Sequence, residues 1–236
     1  MAGYRTHVTV SGMLGAAYGA GAAYFIAAMF TPVQGALAGV LTWVAGMLPD
    51  IDSDSGKPVR EVFSLLAAVA PVAMMGHLLE WGKDPEGAML LAVAVYAAIR
   101  YGGSALLCRL SVHRGMFHSI PAMLIAAELA FLAYKSPSNT VKLLMAGGVA
   151  LGFFSHLLLD EIYAVEWSGV RIKLNKFAGS AIKLAGNRLI PNVVTYSLLM
   201  VMTYAALVQS GLVQEPALKD SPRTLRQAAE EAPTVR

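Results

Sequence analysis

Four of the chain's five histidines, and the aspartates Asp50, Asp52 and Asp160, stand where hydrophobic segments begin or end. His7 precedes the first apolar run and Pro49-Asp50-Ile51-Asp52 closes the second. His113-Arg114-Gly115-Met116-Phe117-His118 lies between two later runs, and His156-Leu157-Leu158-Leu159-Asp160 ends another. Imidazole and carboxylate are ligands for divalent metals. Side chains this costly to place in or beside lipid mark functional sites by default. The residue types therefore point to metal chemistry at a membrane.

The spacings differ in what they require. His156 and Asp160 are four apart, so on a helix both project from one face toward a common ion. His113 and His118 are five apart and need the turn that Gly115 permits. Arg114 between them offers a planar fork for a phosphate or carboxylate. Asp50 and Asp52 follow Pro49, where an extended turn presents both carboxylates together. With Asp54 and Glu61 they also match part of a calcium loop, although Ser55 stands where that loop needs Gly, and Pro58 intrudes. Cys108 is the only cysteine, which excludes a thiolate-rich site and an intrachain disulfide. Taken together, His7, Asp50, Asp52, His113, His118, His156 and Asp160 exceed what one tetrahedral zinc accepts. Two or three ions are expected, with zinc favoured by the donor mix and manganese or iron as alternatives.

The elements that must position these groups are membrane segments. The chain has 236 residues, 56% hydrophobic and 14% charged, with a mean hydropathy of +0.57. A soluble domain carries about 25% charged residues. Apolar runs at 8–30, 33–48, 60–81, 86–108, 119–134, 140–160 and 190–212 predict an all-α, polytopic membrane helix bundle with about seven apolar segments. Thr31-Pro32 leaves room only for a tight turn, so the first two segments run antiparallel and return His7 to the level of Asp50 and Asp52. Continued alternation brings His113, His118, His156 and Asp160 to the same face and leaves His77, beside Glu80 and Trp81, on the other. The site face carries Arg5, Lys57, Arg60, Arg109, Arg114, Arg171, Lys173, Lys176, Lys183 and Arg188, against Lys83, Lys135 and Lys142 opposite. By the positive-inside bias the site and the N-terminus face the cytoplasm.

Gly15/Gly19, Gly35/Gly39 and Gly148/Gly152 are small-xxx-small pairs suited to close helix packing. Arg100 and Glu128 fall at equal depth and are expected to form a buried ion pair. Residues 1–212 read as one membrane-embedded domain. Within it, 164–188 is an interfacial connection whose segment 169–188 starts like a short strand, and 213–236 is a polar, weakly ordered tail.

The ordered set Thr6-His7 with Gly12, Leu48-Pro49-Asp50-Ile51-Asp52, His113-Arg114-Gly115 with Phe117-His118-Ser119, and His156-Leu157-Leu158-Leu159-Asp160 resembles the YdjM-like family of bacterial inner-membrane, metal-dependent hydrolases. The likeness covers residues 1 to about 190. That family is distantly similar to zinc-dependent phospholipase C and P1-type nuclease, helical enzymes whose His/Asp clusters hold several zinc ions for phosphoester hydrolysis. The resemblance implies an inner-membrane hydrolase acting on a phosphoester, such as a phospholipid or lipid-linked phosphate. His7, Asp50, Asp52, His113, His118, His156 and Asp160 would be its metal ligands. Arg114, Lys173 and Lys176 would bind the anionic substrate, and Asp52 or Asp54 would orient water. The alternative is a metal-stabilised scaffold that binds a cytosolic protein, with a divalent-metal transporter less favoured because transport needs ligands near the bilayer midplane. Membrane lipid is the expected surrounding partner, and direct nucleic-acid binding is not expected.

Overall fold

The computed structural model describes residues 3–52, 56–103, 116–168, 171–174 and 182–213. The first helix, α1 (Tyr4–Ala20), runs into a π-helical turn over Gly21–Phe25 and reverses. Helix α2 (Pro32–Ala45) follows, entered through a capping box. Thr31 Oγ1 accepts the Gln34 N–H at 3.2 Å, and Gln34 Oε1 accepts the Thr31 N–H at 2.9 Å, so the sequence Thr-Pro-Val-Gln satisfies two orphan donors reciprocally. Gly46 ends α2, and a 3-10 turn over Leu48–Asp52 leads on to α3 (Gly56–Ala73), α4 (Met75–Gly82) and α5 (Pro85–Ala97). A second π-helical turn, Ala98–Gly103, extends α5. After it come α6 (Ile120–Ala133), α7 (Asn139–Ile162), the strands β1 (Val165–Ser168) and β2 (Arg171–Leu174), and α8 (Leu189–Gln209). The described residues are thus helical apart from one antiparallel hairpin, registered Val165 to Leu174 and Ser168 to Arg171. The short strand expected early in the interfacial connection corresponds to β2.

Among the described residues, three helices are long and apolar enough to cross a membrane, namely Pro32–Asp50, Asn139–Ile162 and Leu189–Gln209. A fourth arises if Arg60–Ala73 and Met75–Gly82, bent by 63° at their junction, form one span. The expected set of about seven apolar segments is therefore not confirmed as spans among the described residues, and local geometry gives the reason. Pro71 lies inside α3, where it removes a backbone donor just before the bend. The two π-helical turns interrupt the segments that contain α1 and α5. Helix α6 has 14 residues, a length of about 21 Å against a hydrocarbon core of about 30 Å.

Helix α2 occupies the centre, packed on α1, α3 and α7. Between α1 and α2 the glycines interlock: a Cβ at Gly19 would sit 2.6 Å from the Gly35 carbonyl oxygen, one at Gly35 would sit 2.6 Å from that of Gly19, and one at Gly39 would sit 2.6 Å from that of Gly15. Between α2 and α7, a Cβ at Gly148 would lie 2.7 Å from Thr42 Oγ1, and one at Gly152 would overlap the Thr42 carbonyl. The small-residue pairs are packing devices, as their spacing indicated. The Thr42 hydroxyl is satisfied within its own helix by donating to the Ala38 carbonyl at 2.8 Å.

The outer helices have a different character. Helix α8 packs on α6 and buries none of its residues fully, leaving Leu189, Ile190, Met200 and Val201 exposed for lipid. Glu128 does not pair with Arg100. Its Oε1 accepts the Thr203 hydroxyl of α8 at 2.6 Å, while the Arg100 guanidinium lies 5.7 Å from the Tyr101 ring centroid. Equal depth did not imply equal azimuth.

Gly39→Ile places a branched side chain against the Gly15 carbonyl and is expected to cost about 1–3 kcal/mol or more through overpacking. Gly21→Ala, with nothing within 4 Å of the added Cβ, is expected to be neutral. Unfolding midpoints of the two variants in detergent would check the contrast.

Candidate metal centre

Five of the expected ligands converge where the ends of α1, α2 and α7 meet the turn before α6. His7 comes from the second turn of α1, Asp50 from the 3-10 turn after α2, His118 from the Met116–Ser119 turn, and His156 and Asp160 from the last turns of α7. His7, His156 and Asp160 are 2%, 0% and 3% exposed. His118 is also buried, whereas the Asp50 side chain keeps 23% of its surface open. The cluster is thus sealed on the α1/α7 side and open at Asp50.

Asp160 joins the groups. Its Oδ1 lies 3.3 Å from His7 Nε2, and its Oδ2 lies 3.6 Å from His156 Nε2 and 3.8 Å from His118 Nε2. Asp50 Oδ1 approaches His156 Nε2 from another side at 3.6 Å. The His7 and His156 rings stack with centroids 3.7 Å apart and planes 14° apart, and His118 meets His156 edge-on at 5.5 Å. Two sets of three ligand atoms result, His7/His156/Asp160 and Asp50/His118/His156, each with its atoms within 4.8 Å of one another.

The protonation of His156 is set by the backbone. Its Nδ1 lies 2.9 Å from the Gly46 carbonyl, so that nitrogen carries the proton and donates it, while Nε2 presents a lone pair to the carboxylates. Nε2 is buried without a hydrogen-bond partner, as is His7 Nδ1. A buried nitrogen left unsatisfied costs about 1–3 kcal/mol. An imidazole that donates one N–H to a carbonyl and aims its other nitrogen at carboxylates has the usual arrangement of a metal ligand with its outer-shell orienter. The donor set and the orphaned nitrogen fit a divalent ion.

Helix packing places that carbonyl. A Cβ on Gly46 would lie 2.7 Å from Ser11 Oγ and 3.3 Å from the Gly152 carbonyl oxygen, so only glycine lets α2 end between α1 and α7. Ser11 is fully buried there and donates back to the His7 carbonyl at 2.7 Å. One turn earlier on α1, the Tyr4 hydroxyl donates to Glu61 Oε2 of α3 at 2.9 Å. Its pKa is pushed up to about 12, first by burial and then by that hydrogen bond. Glu61, the last carboxylate of the partial calcium loop, is thereby engaged with Tyr4.

Asp54, His113, Arg114 and Lys176 lie outside the described residues, as do the side chains of Asp52 and Lys173; the backbone of Asp52 falls in the 3-10 turn and that of Lys173 in β2. The tail from 214 onward also lies outside them. His77 stands apart from the cluster, as expected, with its ring 5.5 Å from that of Trp81. Near it, Glu80 pairs with Lys135. The Gly46 carbonyl and the Tyr4–Glu61 bond were missed in the sequence. A carbonyl has no residue signature, though the Gly46-Met47-Leu48-Pro49 stop did mark the end of a helix.

The chain belongs to the YdjM inner membrane protein family. The match runs over residues 1–208 and so takes in every ligand of the cluster. Among curated proteins and solved structures, none matches the chain. The comparisons thus show the family and no likeness to zinc-dependent phospholipase C or P1-type nuclease. Membership makes this an inner membrane protein, consistent with its apolar helices.

Gly46→Ala is expected to weaken divalent-metal affinity by about 10–100-fold, the usual effect of losing an outer-shell partner. Adding Ser11→Gly, which clears the space, should restore part of it. Calorimetric titration of the purified protein with Zn2+ checks both, and a flat titration of the wild type would overturn the metal-centre reading.

Proposed function

We propose that the chain is a multi-pass, membrane-bound, metal-dependent hydrolase of phosphoesters, acting at the cytoplasmic face on a phospholipid or another lipid-linked phosphate. The observation that carries the metal requirement is His156, whose buried Nε2 faces Asp50 and Asp160 while Nδ1 is committed to Gly46. Two or three zinc ions, or manganese or iron in their place, would supply a Lewis acid for the phosphoryl oxygens and acidify water. His7, Asp50, His118, His156 and Asp160 would hold them, with Asp52 and His113 completing the set.

The remaining roles belong to the chain's own side chains. Asp50 stands at the open edge of the cluster, where an anionic group would reach an ion held by the carboxylates and imidazoles. Arg114, which follows His113 directly, together with Lys173 and Lys176 of the interfacial connection, would orient that anion. Asp52 or Asp54 would hold the attacking water by accepting its proton. The excess of Lys and Arg on the cluster side of the chain supports a cytoplasmic site. The position of the cluster argues against transport. His156 and Asp160 lie in the last two turns of α7 (Asn139–Ile162), and His7 near the start of α1, so the ligands sit toward one end of the spans and off the midplane.

One observation favours a second reading, a metal-stabilised scaffold for a cytosolic partner. The ligands come from α1, the 3-10 turn after α2, α7 and the turn before α6, so a bound ion would tie separate elements together and add its binding energy to the fold. Activity separates the two. Metal-loaded protein is expected to release phosphate or headgroup from phospholipid or a soluble phosphoester, and His156→Ala and Asp50→Ala are expected to lose at least about 100-fold in rate, a loss of roughly 2.7 kcal/mol of transition-state stabilisation. Stoichiometric metal without turnover on any phosphoester would favour the scaffold. A reporter inserted between 182 and 188 is expected to read cytoplasmic, and an external signal would sink the orientation.

A further inference from the structure

His118 differs from the other ligands in how it is held. His7, His156 and Asp160 ride on helices, and Asp50 on a 3-10 turn whose N–H bonds back to the Met47 carbonyl at 3.3 Å. His118 sits in the irregular Met116–Ser119 turn, so its place depends on what supports that turn. Support from within comes from Ser119, which accepts the Ala122 N–H at 3.3 Å and donates to the Met116 carbonyl. Support from outside comes from the strap 182–188. The Ile120 N–H donates to the Lys183 carbonyl at 3.1 Å, and a Cβ on Gly186 would lie 3.3 Å from Met116 Sδ.

The strap 182–188 has no helix or strand of its own. Helix α8 fixes it with two side chains one turn apart. Asn192 makes a reciprocal pair with Gly186, its Oδ1 accepting the Gly186 N–H at 2.8 Å and its Nδ2 donating to the Gly186 carbonyl at 2.8 Å. The Tyr196 hydroxyl donates to the Leu184 carbonyl at 2.8 Å. A side-chain amide that satisfies both groups of one residue imitates a strand pairing and sets the position and direction of that residue.

We infer that Asn192 is a positioning residue for His118, acting through the Gly186 strap to hold that imidazole against Asp160 and His156. The inference rests on the metal-centre reading and assigns α8, which makes no direct contribution to the described ligand set, a part in building it. It also explains why an otherwise lipid-facing helix spends an amide and a phenol on an irregular segment instead of on its neighbour α6.

The test is Zn2+ affinity of the full chain in lipid nanodiscs, with Co2+ absorption as a second readout of coordination. Asn192→Ala is expected to weaken binding by about tenfold or more, within the range for lost outer-shell support, and to change the Co2+ spectrum. Tyr196→Phe and Asn192→Asp, which each remove one hydrogen bond, should shift affinity in the same direction by less and decide the matter if Asn192→Ala does not fold. The loss should be non-additive with His118→Ala and additive with His7→Ala. A merely structural role would instead add equally to both, and that result would overturn the inference, as would wild-type affinity and spectrum in all three variants. A wild type that binds no metal overturns the metal-centre reading and takes this inference with it.

Discussion

The approach of α2 to both α1 and α7, at distances that only glycine allows, is the constraint on which the rest of the structure depends. In lipid there is no hydrophobic drive between helices, so association rests on dispersion contacts and on whatever hydrogen bonds close approach permits. The Gly15/Gly19 and Gly35/Gly39 pairs bring two backbones together over two turns. Gly148 and Gly152 do the same for α7 against Thr42. Three helices held this tightly leave little freedom in register or rotation. The register they adopt carries His7 and His156 into ring contact at 3.7 Å.

That contact has a cost which the packing must meet in the absence of metal. Three imidazoles and a carboxylate are nearly sealed from solvent, and a second carboxylate is half-buried beside them. Burying such groups without full pairing is unfavourable by several kcal/mol. Part of the cost is removed locally, by the Gly46 carbonyl on His156 and by Asp160 between three rings. The rest is unrelieved at His156 Nε2 and His7 Nδ1. A site that is rigid and under-satisfied when empty is pre-organised for an ion, because the ligands need not be gathered when it binds. The glycine crossings are thus both the scaffold and the means by which the unfavourable cluster is tolerated.

How much of this was legible follows from what kind of information each feature needs. Depth is encoded by hydrophobic run length, so the level at which His7, Asp50, His118, His156 and Asp160 meet could be read by alternating the segments. Close approach was legible in the glycine spacings. Azimuth was not: Arg100 and Glu128 agree in depth, yet a helix turns about 100° per residue, and Glu128 faces Thr203 of α8. Run length also does not register a π-helical turn at Gly21–Phe25 or a 63° bend after Pro71, so it did not show where an apolar segment breaks. Backbone partners were invisible for a simpler reason. The Gly46 and Gly186 carbonyls act as acceptors that any residue would supply, and only the fold decides which of them is used.

The uneven support of the ligands bears on how the centre can work. Asp160 and His156 share one rigid helix, and His7 is locked to it by stacking, so that part of the cluster can move only if the helices separate. Asp50 and His118 lie on turns, one beside the solvent-facing edge and one backed by the strap 182–188. In the proposed hydrolase, a substrate entering past Asp50 would meet the two turn-borne ligands first, with the helix-borne triad behind them. Hydrolytic sites benefit from that division, since charge must be held steady on one side while the other side accommodates substrate and leaving group. A purely structural metal site would gain nothing from it, and its ligands would be expected to sit on equally rigid elements with every position closed. The division between helix-borne and turn-borne ligands, together with the open edge at Asp50, is the feature of the fold that weighs toward chemistry over scaffolding.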